Sequence, residues 1–299
     1  MTGMLFIFAA CTLWAIDTLI RYPLLNSGVP ATQIVFIEHL LLTLAMLIWH
    51  LRTLRATLSN LCTHWRPLLL IGGLGSALGT LAFTQAFAHI NPTLVILLQK
   101  LQPIVAISAA PLILGERWRS SFPALAALAL TGSLLMMLPD ILAFAQEGSL
   151  SGYGGQRDTL IGYGLTLVAV CGWGLSTVFG RRLCNDGVGA GELMLGRFMA
   201  GCLVMLPLMF LHGSDVSQLN SSVVQKIAAM AFLAGLMGMA LYYRGLQQLP
   251  AHIATLCELF FPVAAVAINW WWLGQQIGWH HAVGAAILTA AALLAQRAR

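Results

Sequence analysis

Ionisable side chains interrupt long apolar stretches of this sequence, and they are the first candidates for chemistry. Three are acids and three are bases: Asp17, Glu38, Glu258, Lys100, Arg197 and Arg244. A charged group at the centre of a bilayer costs at least ~2.5 kcal/mol on insertion scales, so each one needs a partner or a function. Equal numbers of acids and bases suit a substrate that carries both charges, and they suit ion pairs within the protein equally well.

Two prolines each place a polar group beside a helix kink. Pro262 has no amide hydrogen, so it frees the carbonyl oxygen of Glu258, four residues earlier. Pro103 does the same for Gln99, which lies next to Lys100. Bent helices with exposed backbone acceptors occur in membranes where they line a cavity or pack on protein. We therefore predict a central binding site near these residues with the two prolines as hinges, and a kink covered by a neighbouring helix is the alternative.

Further polar and aromatic residues complete the candidate site. Trp14 and Trp173 lie mid-helix among small residues, where they would wall a substrate pathway or pack within the helix bundle. The predicted substrate-binding residues are Trp14, Gln85, Gln99, Lys100, Trp173, Tyr242 and Glu258. The predicted coupling or gating residues are Asp17, Glu38, His39 and Arg197. For Glu38 and Arg197, the alternative to coupling or gating is an ion pair that joins the two side chains and has a structural role. Arg244, near the end of its helix, would extend to a membrane interface.

The composition places all these residues inside a membrane protein. Apolar residues make up 59% of the 299 residues and charged residues only 8%, against roughly 25% charged in soluble proteins. About 20 apolar residues span a bilayer core of ~30 Å. Ten segments of this kind fit the sequence: 4–25, 30–51, 67–89, 92–114, 122–143, 160–183, 190–212, 224–247, 250–273 and 279–297. The six cysteines show no metal-binding or CxxC spacing, so we expect neither a metal site nor a disulfide framework.

The two halves of the chain match at a shift of 159 residues. Matching positions include Trp14 and Trp173, Asn26 and Asn185, Gly79 and Gly238, and Pro103 and Pro262. Five helices per half is an odd number, so the second half must enter the membrane inverted. The predicted fold is an all-α polytopic membrane protein with ten transmembrane helices in a 5+5 inverted repeat. Residues 1–140 form the first repeat, 141–159 a Gly/Ser-rich linker, and 160–299 the second repeat.

Basic residues predict the orientation of the chain in the membrane. Nine Lys and Arg residues fall on the side of the N-terminus, whereas the opposite side carries at most three, which are Arg21, Arg157 and Lys226. Cytoplasmic loops carry the excess of basic residues. We therefore expect a multi-pass protein of the cytoplasmic (inner) membrane with both termini in the cytoplasm.

The chain resembles EamA-type transporters of the drug/metabolite transporter superfamily over nearly its whole length. The shared motifs are Trp14-Ala15, Trp173-Gly174, the mid-helix prolines and Gly115-Glu116. The sequence departs from the family at Gly274-Gln275, where Gly-Glu is usual, and in the charge difference between Glu38 and its repeat partner Arg197. The resemblance implies transport of metabolites such as amino acids, of drugs or, more distantly, of nucleotide sugars.

The leading hypothesis is a secondary active exporter of small amphoteric metabolites, such as amino acids, that works by alternating access. A drug or organic-cation exporter is the alternative, and a membrane enzyme or sensor is a remote one. The sequence has no HExxH, GxSxG or Walker motif, so we predict no enzyme activity and no cofactor. The expected partners are a small-molecule substrate and the lipid bilayer, with no nucleic acid. Proton coupling and facilitative or exchange transport both stay open, as does the oligomeric state.

Overall fold

The protein is all-helical in the computed structural model, which describes residues 2–147, 155–211, 219–274 and 276–297. The helices in these ranges are α1 (Thr2–Asn26), α2 (Ala31–Trp49), α3 (Leu54–Thr63), α4 (Trp65–Ala86), α5 (Pro92–Gln99), α6 (Gln102–Leu114), α7 (Phe122–Met136), α8 (Leu138–Glu147), α9 (Gln156–Asn185), α10 (Ala190–Leu211), α11 (Ser221–Gln248), α12 (Ala251–Glu258), α13 (Phe261–Leu273) and α14 (Trp279–Arg297). The predicted all-α membrane fold is confirmed.

Eight spans among the described residues are long and apolar enough to cross a membrane. They are α1, α2, α4, α9, α10, α11 and the two broken helices α5–α6 and α12–α13. A ninth arises if α7 and α8 count as one span, although they meet at 65°. The predicted span 122–143 is bent here because Pro139 cannot donate to the turn before it. The predicted span 279–297 corresponds to α14, and the count of ten stays a prediction.

Glycine and asparagine set several helix ends. Gly115 and Gly274 end α6 and α13 in the left-handed region, with φ of 66° and 67°. Gly28 and Gly187, which follow α1 and α9, have φ of 89° and 85°. Such φ values are strained for residues with a Cβ. Asn220 caps α11 by accepting a hydrogen bond from the Val223 amide at 3.0 Å. The left-handed glycines form two pairs, each separated by 159 residues.

Irregular helix segments also recur in the two halves, the helix breaks at this separation and the π-helical stretches within about three residues of it. α4 contains a π-helical stretch at Leu69–Leu78, and α11 contains one at Ala231–Gly238. The break between α5 and α6 falls at residues 100–101, and the break between α12 and α13 falls at 259–260. These features lie at equivalent positions of the two predicted repeats. In the predicted linker, residues 141–147 and 156–159 are helical, and residues 148–154 lie outside the described ranges.

Small residues bring the helices of the two halves into close contact. At the crossing of α1 and α11, a methyl group on Gly245 would lie 2.7 Å from the carbonyl oxygen of Gly3. At the crossing of α4 and α9, a methyl group on Gly172 would lie 3.0 Å from the carbonyl oxygen of Leu74. Glycine permits such close approach of helices in membranes. These two crossings hold the halves against each other around the central cavity.

We expect Gly132→Ala to destabilise the protein by about 1–3 kcal/mol because the pair α7–α14 is already packed to backbone contact. The new methyl group would lie 2.8 Å from both the Gly284 carbonyl oxygen and the Leu288 amide nitrogen. Gly164→Ala is the matched control, since its methyl group meets nothing within 4 Å. Thermal unfolding in detergent measures both variants, and equal unfolding midpoints would contradict the close packing of α7 and α14.

Candidate substrate-binding site

A cavity of about 360 Å³ lies between the two halves, at the breaks of α5–α6 and α12–α13. Small-molecule sites have volumes of about 300–1,000 Å³, so the cavity holds a compact ligand. All but one of the predicted site residues line it: Trp14, Asp17, Glu38, His39, Gln99, Lys100, Pro103, Trp173, Arg197, Tyr242, Glu258 and Pro262. Gln85 does not, because the lining face of α4 runs through Ser76, Thr80, Phe83 and Thr84 and continues to Phe87, directly after the helix.

Glu258 is held by three side chains from three different helices. Its Oε1 accepts hydrogen bonds from the Thr177 hydroxyl and the Tyr242 hydroxyl, each at 3.0 Å. Its Oε2 accepts from the Gln102 side-chain amide at 2.7 Å. Thr177 lies on α9, Tyr242 on α11 and Gln102 at the start of α6. The carboxylate therefore links the break of α12–α13 to the break of α5–α6.

Arg21, which was counted from the sequence only as a charge on the side opposite the N-terminus, turns inward and pairs with two carboxylates. Its guanidinium donates to Asp17 Oδ2 at 2.6 Å, Asp17 Oδ1 at 3.2 Å and Glu38 Oε2 at 3.0 Å. The i,i+4 spacing of Asp17 and Arg21 is the sequence signal for this pair. Glu38 thus has Arg21 as its partner, and the alternative ion pair with Arg197 is not formed.

Arg197 and His39 meet at a shared serine. The Arg197 Nε donates to Ser76 Oγ at 3.1 Å, and Arg197 Nη1 donates to the Tyr243 hydroxyl at 3.4 Å. His39 Nε2 lies 2.9 Å from the same Ser76 Oγ, while His39 Nδ1 lies 2.7 Å from the Val35 carbonyl oxygen. Both ring nitrogens of His39 are therefore engaged, and its ring is fixed at the cavity wall.

Lys100 is the free cation of the site. It lies in the break between α5 and α6, lines the cavity and is only 7% exposed. Within the described part of the chain, no hydrogen bond or ion pair engages its ammonium group. A buried ammonium without a partner favours a ligand with a negative or hydrogen-bond-accepting group. Arg244, by contrast, is exposed and lies outside the cavity, as the interfacial alternative expects.

Aromatic rings form two matching walls. Trp14 packs against Tyr242 with ring centroids 5.4 Å apart, and Trp173 packs against Phe83 at 5.0 Å. The two pairs are related by the shift of 159 residues. Each indole lies close to a glycine of the opposite half, since a methyl group on Gly238 would lie 2.9 Å from Trp14 Nε1. The rings within the two pairs are tilted by 50° and 57°, so each pair offers individual aromatic faces that suit stacking with a planar ligand.

The cavity is closed toward the N-terminal end of α1 and extends toward the other end. Its lining residues on α1 begin at Trp14 and continue to Leu25, and Tyr22 near that end is 43% exposed. At the closed end, Arg181 Nη1 donates to the carbonyl oxygens of Leu246 at 2.8 Å and Gln247 at 2.6 Å. These contacts tie α9 to the end of α11.

Glu116 is a second component of the closed end. It follows α6 and caps α12, accepting from the Ala251 amide at 2.7 Å and from the His252 amide at 3.3 Å. Its Oε2 also lies 2.5 Å from His252 Nδ1. Burial acts to raise the pKa of Glu116, but the hydrogen bonds from His252 and the backbone amides outweigh it and lower the pKa. Its counterpart in the second half, Gln275, lies outside the described residues.

Three residues that line the cavity are missing from the predicted site. Arg21 was counted only for the orientation of the chain, and Gln102 and Thr177 were not included among the predicted site residues. Gln102 directly precedes the hinge proline Pro103. Gln99 was selected for its position near this proline, so Gln102 could have been selected in the same way. Thr177 is one turn after Trp173 on α9, which gives it the same helix face. Among the described residues, no cluster of His, Cys, Asp and Glu has the arrangement of a metal site.

Comparisons with known proteins agree with a transport site. The sequence profile of the EamA-like transporter family matches residues 1–138 and 160–296. The riboflavin transporter ImpX of Fusobacterium nucleatum subsp. nucleatum (strain ATCC 23726 / VPI 4351) is 30% identical over 283 residues, which cover 90% of this chain and 88% of that protein. One protein crystal structure superposes with a TM-score of 0.76 at 18% identity, over 99% of this chain and 98% of that chain, and so shares the fold.

We expect a double-mutant cycle of Arg21→Met and Glu38→Gln to show a coupling free energy of about 0.5–3 kcal/mol, because the two side chains are in direct contact. The cycle of Glu38→Gln with Arg197→Met is the control, and its effects should add within ~0.5 kcal/mol. Unfolding free energies in detergent supply both values. Strong coupling in the control together with additivity at Arg21 would reverse the assignment of partners.

Acid should weaken the closed end through Glu116. Its pKa is lowered in the folded protein, so its hydrogen bonds stabilise the fold above the unfolded pKa of about 4.3 and this stabilisation is lost as pH falls through the lower folded pKa. Between about pH 5 and pH 3, the unfolding temperature should fall further in the native protein than in Glu116→Gln. Asp186→Asn, at an exposed position after α9, is the control. Parallel profiles for the native protein and Glu116→Gln would contradict this prediction.

Proposed function

Because the chain belongs to the EamA-like transporter family, we propose that it is a secondary active transporter that carries a flat, polar heteroaromatic metabolite by alternating access. The observation that carries this proposal is the cavity between the halves, which combines two aromatic walls with a free ammonium group at Lys100. Riboflavin, named for the relative ImpX, is the first substrate to test.

The chemistry of the lining supports a molecule with both a ring and hydroxyl groups. A planar ring system would lie between the pairs Trp14–Tyr242 and Trp173–Phe83. The ammonium of Lys100 would donate to a carbonyl or an acidic ring edge. The hydroxyls of Thr18 and Thr84 donate to their own helix backbones, at 2.6 Å and 2.8 Å. Their oxygen lone pairs are left to accept hydrogen bonds from hydroxyl groups of the substrate.

Amino-acid export is the second candidate, because a base and an acid line the same cavity. Lys100 would bind the carboxylate of the substrate, and Glu258 would bind its ammonium group. The carboxylate of Glu258 already accepts three hydrogen bonds, so it has less capacity for a ligand than the free Lys100. This difference favours the heteroaromatic substrate. An organic-cation exporter is disfavoured by the same free ammonium group, and the family membership favours transport over the enzyme or sensor alternatives.

The proposed architecture is ten transmembrane helices in two inverted repeats, 1–140 and 160–299. The proposed location is the cytoplasmic (inner) membrane, with both termini in the cytoplasm. The paired left-handed glycines, π-helical stretches and helix breaks support the duplication. In that orientation the cavity faces outward. Rocking of the halves about the central crossings would give the inward-facing form. Proton coupling through Asp17, Glu38 or Glu258 is proposed as the energy source, and facilitative or exchange transport is the alternative.

Counterflow in proteoliposomes tests the proposal, with labelled riboflavin, an amino-acid mixture and a quaternary ammonium compound as separate probes, each with and without a pH gradient. We expect exchange of riboflavin. Lys100→Met should raise the KM by about tenfold, since a charge-assisted hydrogen bond is worth about 1.5–3 kcal/mol. Arg244→Gln is the control, and its KM should stay within about twofold of the native value because Arg244 is outside the cavity.

The outcomes separate the candidates. Exchange of amino acids without riboflavin would replace the heteroaromatic substrate with the second candidate. A response to the pH gradient that Glu258→Gln abolishes would support proton coupling. Absence of exchange for all three probes, in protein with a native unfolding profile, would contradict the proposed substrates. Equal KM values for Lys100→Met and the native protein would remove Lys100 from the site.

A further inference from the structure

A second pocket, of about 380 Å³, lies at the closed end of the molecule and outside the substrate cavity. Its lining includes three arginines, which are Arg117, Arg119 and Arg181. Arg117 and Arg119 are exposed and come from the segment between α6 and α7, whereas Arg181 is near the end of α9. Three guanidinium groups around one pocket form a site for an anion, and Arg is the residue best suited to bidentate phosphate recognition.

These three arginines have N–H donors that are available to a ligand. No hydrogen bond or ion pair joins the side chains of Arg117 and Arg119 to other residues in the described ranges. Arg181 uses Nη1 for the carbonyl oxygens of Leu246 and Gln247, so the N–H groups of Nε and Nη2 stay available. The carboxylate of Glu116 lies nearby and bonds the N-terminus of α12 and the ring of His252, but it does not line the pocket, whose lining carries three arginines and no carboxylate.

Apart from Gln248 and His252, the other residues that line the pocket are apolar or aromatic. Leu125 of α7, Ile253 of α12 and Ala295 of α14 line it. Trp118 also lines it, with its ring 5.8 Å from that of Phe122 and 6.2 Å from that of His252. Tryptophan is enriched where a membrane protein meets the lipid headgroups. Arginine side chains beside apolar helix surfaces match a ligand that has both a phosphate group and a lipid chain.

We propose that this pocket binds a phosphate ester, and that the ligand is the headgroup of an anionic phospholipid from the leaflet on the N-terminal side. Basic pockets between transmembrane helices bind such headgroups through the same combination of charge and apolar contact. Arg117 and Arg119 belong to the predicted first repeat, and Arg181 belongs to the second. A phosphate shared among them bridges the two halves, so it stabilises the conformation in which this end is closed.

Thermal unfolding of the full chain in detergent tests the site. Mixed micelles contain either phosphatidylglycerol or phosphatidylcholine at the same mole fraction, and a third sample contains inorganic phosphate without added lipid. We expect phosphatidylglycerol to raise the unfolding midpoint by about 4 °C or more above phosphatidylcholine. The double variant R117Q/R119Q should lose at least half of this difference. The control R52Q/R55Q removes two exposed arginines that do not line the pocket, and it should keep the whole difference.

The midpoint of R117Q/R119Q in phosphatidylcholine shows whether the variant folds normally. An equal loss in both double variants would overturn the proposal, because the lipid effect would then depend on overall charge. No effect of phosphatidylglycerol on the native protein, together with no effect of phosphate, would also overturn it. If inorganic phosphate alone reproduces the shift and R117Q/R119Q loses it, the anion site stands and its ligand is a soluble phosphate ester.

Discussion

The cost of placing a polar group in an apolar medium governs this structure. Only 8% of the residues are charged, and those inside the helix bundle are collected around one cavity. Arg21 satisfies two carboxylates, and Ser76 joins Arg197 to His39. Unpaired polar groups are expensive in lipid, so a network of this kind has to form between helices. The same requirement that stabilises the bundle therefore builds the lining of a substrate site.

The helix breaks connect this network to movement. Pro103 and Pro262 each follow a break, and one side-chain hydrogen bond joins the two breaks across the halves. Gln102, beside the first break, donates to Glu258, beside the second. A change in the bonding of Glu258 therefore reaches both broken helices at once. The breaks are equivalent under the shift of 159 residues, so both halves bend at the same place, and repeats of this kind are the structural basis of alternating access in secondary transporters.

Sequence patterns predicted the site better than they predicted its partners. The prolines, the two tryptophans and Glu258 were found because mid-helix position and repetition identify residues facing the cavity without knowledge of the packing. The ion pairs of Arg21 were not predicted because a charge count treats an arginine near a helix end as solvated, whereas here it turns back toward Asp17 and Glu38. Gln85 was included for its polarity, yet it lies off the lining face of α4. Both errors concern the direction in which a side chain points around its helix axis, and composition does not determine this direction. The bend between α7 and α8 was missed although Pro139 marks it.

Contacts of different kinds occupy equivalent positions at the two ends of the molecule, and this difference breaks the symmetry. At the N-terminal end, Arg181 donates two hydrogen bonds to the end of α11. The equivalent position in the first half is Tyr22, which meets Phe87 edge-on at 6.4 Å between ring centroids. An edge-to-face aromatic contact is worth about 0.5–1.5 kcal/mol beyond its area, whereas hydrogen bonds from a charged group are worth about 1.5–3 kcal/mol each. The contacts at the N-terminal end are thus the stronger of the two, which agrees with a cavity that extends toward the Tyr22 end. A ligand that stacks on the Trp173–Phe83 pair would add contacts next to Phe87, on the side of the molecule where the contacts within the protein are weaker.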